Sequence, residues 1–88
     1  MSVEVLKFSA SWCGPCKVLA QTLQGVEGIT NIDIEKDMET AIKYGVRKVP
    51  LLVFLKDGEE IHRVSGNMSK AHYEQILTEI NDSKELNN

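Results

Sequence analysis

The chain has 88 residues, of which 42% are hydrophobic and 26% charged, and its formal net charge is −3. That length holds one domain with a modest core, and the apolar content is too high for a disordered chain. The acidic balance gives no electrostatic reason to expect nucleic acid as a partner, and no run is long and apolar enough to cross a bilayer, so no membrane partner is expected either.

Val3-Glu4-Val5-Leu6-Lys7-Phe8 is a β-branched and aromatic run and predicts a first strand. The stretch Met1 to Phe8 also carries Glu4 and Lys7 and lacks the basic, apolar and small-residue order of a signal peptide. A cytoplasmic protein is therefore expected. In that compartment two cysteines are more often catalytic, metal-binding or buried than a structural bridge.

Ser9 to Trp12 reads as a loop, and a helix begins from Cys13. Pro15 sits near its start, where a missing N–H costs nothing. Leu19, Leu23 and Val26 share one face, and Gly25 and Gly28 end the helix. Ile29 to Ile34 is a second strand. Glu39 to Tyr44 is a short helix with Ala41 and Ile42 inward, stopped by Gly45. Leu51 to Leu55 is uniformly apolar, as a strand covered on both faces should be. Lys56-Asp57-Gly58-Glu59 is a hairpin turn, returning Glu60 to Ser65 as a more polar edge strand that Gly66 breaks. Ser69 can cap a last helix, whose apolar stripe is Tyr73, Ile76, Leu77 and Ile80. The expected domain spans residues 1–81, with 82–88 a polar C-terminal tail.

The order is βαβαββα, an α/β fold with a four-stranded mixed sheet and helices on both faces. The first three strands are joined through helices, so they can lie parallel, and the hairpin adds an antiparallel edge.

Trp12-Cys13-Gly14-Pro15-Cys16-Lys17 falls where a strand ends and a helix starts. A helix N-terminus offers unpaired N–H groups and the positive end of the macrodipole. Both favour thiolate over thiol, so Cys13 is expected to be the more acidic cysteine and the nucleophile. Cys16, one turn on and on the same face, can reach Cys13 to form a disulfide or to attack a mixed disulfide held there. Gly14 leaves room for a substrate sulfur, and Pro15 stiffens the turn. The competing reading of C-x-x-C is half of a zinc site. It lacks a second C-x-x-C, and His62 and His72 are ten apart, which does not fit a zinc finger. No metal is expected.

Several separated motifs in this order and spacing strongly resemble the thioredoxin family. They are WCGPCK after a strand, Tyr44-Gly45-Val46-Arg47-Lys48-Val49-Pro50 before an apolar strand, Lys56-Asp57-Gly58-Glu59, and Gly66. The resemblance runs from about Val3 to Ile80. It implies that Cys13 attacks, that Cys16 resolves, and that Pro50 is in cis opposite the disulfide, although by its local sequence Pro50 need only start a strand. A cis bond there leaves the Val49 backbone free to pair with an extended substrate. Trp12 would shield the site. Gly66 either lets its loop approach the groove closely or is only a turn glycine.

The chain departs from the family pattern in several places. The strand and helix that normally precede the cysteine-bearing unit have no counterpart, which leaves the minimal four-stranded core and a size nearer a glutaredoxin. Lys7 stands at the position of the buried aspartate credited with taking the resolving thiol's proton. Three readings of Lys7 are open: its ammonium tunes the thiol by charge, water and Glu35 relay the proton in its place, or it snorkels to solvent. Ser9, Leu51 and Gln21 replace a usual tryptophan, threonine and helix-kinking proline, changes expected to alter partner preference rather than remove the chemistry.

The expected function is reduction of protein disulfides by dithiol exchange through Cys13 and Cys16, with no bound cofactor beyond that redox-active pair. A monomer is expected, recycled by a thioredoxin-reductase-like or glutathione-based reductant. The alternatives are a glutathione-dependent, glutaredoxin-like enzyme and a non-catalytic binding module using the same groove.

Overall fold

A computed structural model describes residues 3–86, with side chains described over 3–81; Met1 and Ser2, and Asn87 and Asn88 of the expected tail, lie outside the described residues. The elements are β1 (Val3–Ser9), α1 (Gly14–Thr22), β2 (Ile29–Asp33), α2 (Met38–Lys43), β3 (Leu51–Lys56), β4 (Glu59–Ser65) and α3 (Lys70–Leu86). The four strands form one sheet in the order β2-β1-β3-β4.

Alternation along β1 sorts the two cores. Val5 points to the face covered by α1 and α3, where it packs with Leu19, Leu23, Leu52, Phe54, Tyr73, Ile76 and Ile80. Leu6 and Phe8 point to the opposite face with Ile32, Leu51, Val53 and Leu55, against Tyr44, Val46 and Val49. Because both faces are covered, β3 is apolar at every position from Leu51 to Leu55, all of them buried. β4 has a neighbour on one side only and is largely exposed.

The direction of β3 corrects the sequence reading. β1 and β2 are parallel, but β3 runs antiparallel to β1, pairing Val5 with Phe54 and Lys7 with Leu52. The connection of residues 34–50 lays α2 on one face and does not run back along the sheet. β3 starts near the end where β2 finished, and runs back.

Three further boundaries differ. α1 stops at Thr22, before Gly25, and Val26 reaches the same core from the turn that follows. Ala41 is buried but Ile42 is 71% exposed, because one step along a helix rotates a side chain by about 100°. The inward partners on that side are instead Tyr44 and Val46. α3 runs on through residues 82–86, which carry no glycine or proline to stop it.

The local signals elsewhere match their positions. Asp57 and Gly58 both have positive φ, 53° and 86°, and form the two-residue turn between Lys56 and Glu59. Ser69 Oγ accepts from the His72 N–H at 3.0 Å, capping α3.

Candidate active site

β1 delivers the chain to the end of the sheet, and the loop Ala10–Trp12 turns it into α1. The turn closes with the Cys13 N–H donating to the Ala10 carbonyl at 3.2 Å. Cys13 is the N-cap of α1, in an extended conformation. Its sulfur takes the place usually held by a serine or aspartate oxygen, since the Cys16 N–H donates to Cys13 Sγ at 3.1 Å. One of the orphan donors of the helix start thus points at the sulfur. A thiolate there gains that bond and the field of the helix, both of which favour it over the thiol.

Cys13 and Cys16 are joined as a disulfide, with their Cα atoms 5.2 Å apart. Each is 4% exposed, so burial does not distinguish them; the N-cap geometry does. They form a small apolar cluster with Ala10, bordered by Ile34 and Val49. Both sulfurs are spent on each other, and among the described residues no group of three or more His, Cys, Asp or Glu side chains gathers as a metal site.

The loop before β3 faces this pair. The Val49–Pro50 peptide bond is cis, and the Val49 carbonyl oxygen lies 3.7 Å from Cys13 Sγ. Among the described residues no backbone group bonds the Val49 N–H or carbonyl. Gly66 holds a φ of +87°, and its N–H donates to the Pro50 carbonyl at 2.9 Å. A Cβ on Gly66 would meet nothing within 4 Å, so the backbone conformation, not close approach, requires glycine here. Gly14 has the same open surroundings.

Trp12 is 66% exposed beside the disulfide and lines a cavity of about 340 Å³ with Ile34, Val46, Arg47, Lys48 and Val49. Arg47 and Lys48 also wall a second cavity with Gly45, Leu51, Arg63 and Ser65. Sequence reasoning quoted these two cations only as motif letters. Their position next to Val49 was the available signal that they flank the groove.

Lys7 is the only charged residue among the buried ones described, at 9% exposure. Burial lowers its pKa from the ordinary lysine value. It lines a cavity of about 200 Å³ together with Ser9, Ala10, Ser11, Cys16, Lys17, Ala20 and Asp33. Glu35, considered from sequence as a relay, has its carboxylate accepting at 3.0 Å from the hydroxyl of Ser11, itself part of that cavity's wall. Asp33, which the sequence reading missed, also lines the cavity behind Cys16, and its carboxylate accepts from the Glu35 N–H at 2.8 Å. Its place at the end of β2, paired with Ser9 at the end of β1, is what brings it there.

Residues 2–79 match the family model described as Thioredoxin. The chain belongs to the thioredoxin family. It is 35% identical over 82 residues to a thioredoxin of Staphylococcus epidermidis, a match covering 85% of this chain and 79% of that one. Among solved structures, reduced thioredoxin of Schistosoma mansoni superposes with a TM-score of 0.79 at 32% identity, covering 88% of this chain and 77% of the other. A thioredoxin variant of Halobacterium salinarum gives a TM-score of 0.76 at 33% identity, covering 84% and 70%. As a thioredoxin-family protein with Cys13 and Cys16 bridged at the family's active-site position, it is a thiol–disulfide oxidoreductase that reduces protein disulfides. The four-stranded mixed sheet is the thioredoxin fold. No helix among the described residues is long and apolar enough to cross a membrane.

Proposed function

We propose that Cys13 is the attacking sulfur and Cys16 the resolving one. The single observation that carries the assignment is the hydrogen bond from the Cys16 N–H to Cys13 Sγ at the first turn of α1. A Cys13 thiolate attacks a substrate disulfide and forms a mixed disulfide, releasing one substrate sulfur as thiolate. Cys16 then attacks Cys13 Sγ. The Cys13–Cys16 bond forms, the bond to substrate breaks, and the second substrate sulfur leaves. The enzyme dithiol has lost two electrons and the substrate disulfide has gained them.

The free N–H and carbonyl of Val49 pair with an extended substrate segment, as an added strand would. Pro50 and Gly66 fix that loop beside the sulfurs. Trp12 and the open space at Gly14 and Pro15 shape the entrance. The protein works as a monomer in a reducing cytoplasm, with no bound cofactor, and draws electrons from a thioredoxin-reductase-like enzyme.

Insulin-disulfide reduction with thioredoxin reductase and NADPH, run beside the same assay with glutathione and its reductase, tests this reading. Turnover with the first system is expected. Turnover with glutathione alone would make it a glutaredoxin-like enzyme, and turnover with neither system would leave a binding module.

A further inference from the structure

The cavity behind Cys16 holds something the exchange chemistry as described does not use. Lys7 projects from β1 to the face covered by α1, and it is the one charged side chain among the buried residues described. No ion pair or hydrogen bond joins it to another described residue. The stem is buried, while the ammonium is not among the fully buried atoms that lack a partner, so its tip reaches the water of the cavity that Cys16 also lines.

We propose that the Lys7 ammonium is a positioning group for the resolving step, holding Cys16 as thiolate at the moment it attacks Cys13 Sγ. This rests on the assignment of Cys16 as the resolving cysteine. Geometry separates the two sulfurs. Cys13 is held by the helix N–H and faces Val49, whereas Cys16 lines the Lys7 cavity.

In the mixed disulfide, Cys13 is bonded to substrate and Cys16 carries a proton. That proton leaves to water, and the sulfur left behind is negative in a low-dielectric wall, where a nearby cation acts strongly. Attack on Cys13 Sγ forms the intramolecular disulfide and expels the substrate thiolate, which takes up a proton from solvent. Lys7 keeps its own proton throughout.

The other charges around the cavity are Lys17 from α1, Asp33 from β2 and Glu35, whose carboxylate accepts from the cavity residue Ser11. Lys17 is exposed and screened by water. Asp33 opposes Lys7, because its carboxylate favours the Cys16 thiol. Ser9 and Ser11 add only hydroxyls, and β3 presents Leu52 beside Lys7. The balance at Cys16 is therefore set by Lys7 against the Asp33 and Glu35 carboxylates.

The test uses the reduced full chain and an aromatic disulfide reagent, 5,5′-dithiobis(2-nitrobenzoate), whose thiolate absorbs on release. The first equivalent released reports the attack by Cys13, and the second reports resolution by Cys16. In Lys7→Met the second release is expected to slow by roughly three- to tenfold at neutral pH, its midpoint moving to higher pH by up to about one unit. The first release should be unchanged, and Lys7→Arg should resolve like wild type. Asp33→Asn should move the midpoint of the second release to lower pH. The proposal is overturned by a second release in Lys7→Met with the wild-type pH profile, or by a Lys7→Arg protein as slow as Lys7→Met. A wild-type protein that releases one equivalent and never the second would instead overturn the two-cysteine exchange itself.

Discussion

The two cysteines differ in what surrounds them, and substitution should separate them. Cys13→Ser removes the attacking sulfur, and insulin-disulfide reduction is expected to fall to background. Cys16→Ser leaves the attack intact and removes the escape. A disulfide substrate should then remain bonded to Cys13, visible as an added mass that dithiothreitol removes. Tyr73 offers a second contrast. Its ring is fully buried against Phe54, yet its hydroxyl is buried with no hydrogen-bond partner among the described residues. An orphaned hydroxyl costs about 1–3 kcal/mol, so Tyr73→Phe is expected to be neutral or to stabilise by up to about 1 kcal/mol in urea unfolding. Residue chemistry of this kind was partly legible in the sequence. The WCGPCK run and its place between strand and helix gave both cysteines, because the reason they react is local. Asp33 was not legible, because only the parallel register of β1 and β2 carries it to the cavity. The same holds for the orphaned hydroxyl of Tyr73, whose helical spacing gave its burial but not its missing partner.

Helix caps and turns carry their stability in identifiable atoms. Ser69 accepts from the His72 N–H with its side chain and from the Tyr73 N–H with its carbonyl, so it starts the helix whose stripe closes one face of the core. Ser69→Ala removes the first bond only and is expected to cost about 1 kcal/mol, measured by denaturant midpoint at unchanged slope. Gly66→Ala places a side chain at a φ of +87° in open space. The cost is conformational, about 1 kcal/mol, and the loop it anchors bonds Pro50. A rise in KM for disulfide substrates larger than that stability loss explains would place the loop in the groove. These elements were legible from sequence wherever a capping or turn residue fixes a boundary, as at Ser69, Gly45 and Asp57-Gly58. They were less so where a helix is short. Six residues of α2 give under two turns, too few for periodicity to say whether Ala41 alone or Ile42 as well points inward.

Two buried ionisable groups, Tyr73 and Lys7, contribute to the response to alkali in opposite directions. Burial raises the Tyr73 pKa above its ordinary value near 10, so its contribution is present below that value and is lost as pH climbs through the raised one. Burial lowers the Lys7 pKa. The unfolded chain then binds more protons between the lowered value and about 10.5, and stability rises with pH across that window. Thermal unfolding of the oxidised protein should therefore show the alkaline rise vanish in Lys7→Met and the steeper fall vanish in Tyr73→Phe. Topology was the least legible property at this level. Local patterns named every strand and helix, but the direction of β3 is set by its pairing with β1, which neither segment signals alone. That reversal brings Val49 and Pro50, in the loop just before β3, back to the end of the sheet where Cys13 begins α1. All of it serves one physical claim: a sulfur sitting as the cap of a helix is the nucleophile. The direct measurement is the pH dependence of iodoacetamide alkylation of the reduced protein, with each modified cysteine located by mass spectrometry. Cys13 should react first, with an apparent pKa below the ordinary thiol value of about 8.5. Alkylation of Cys16 ahead of Cys13, or a Cys13 pKa at or above that value, would contradict the account.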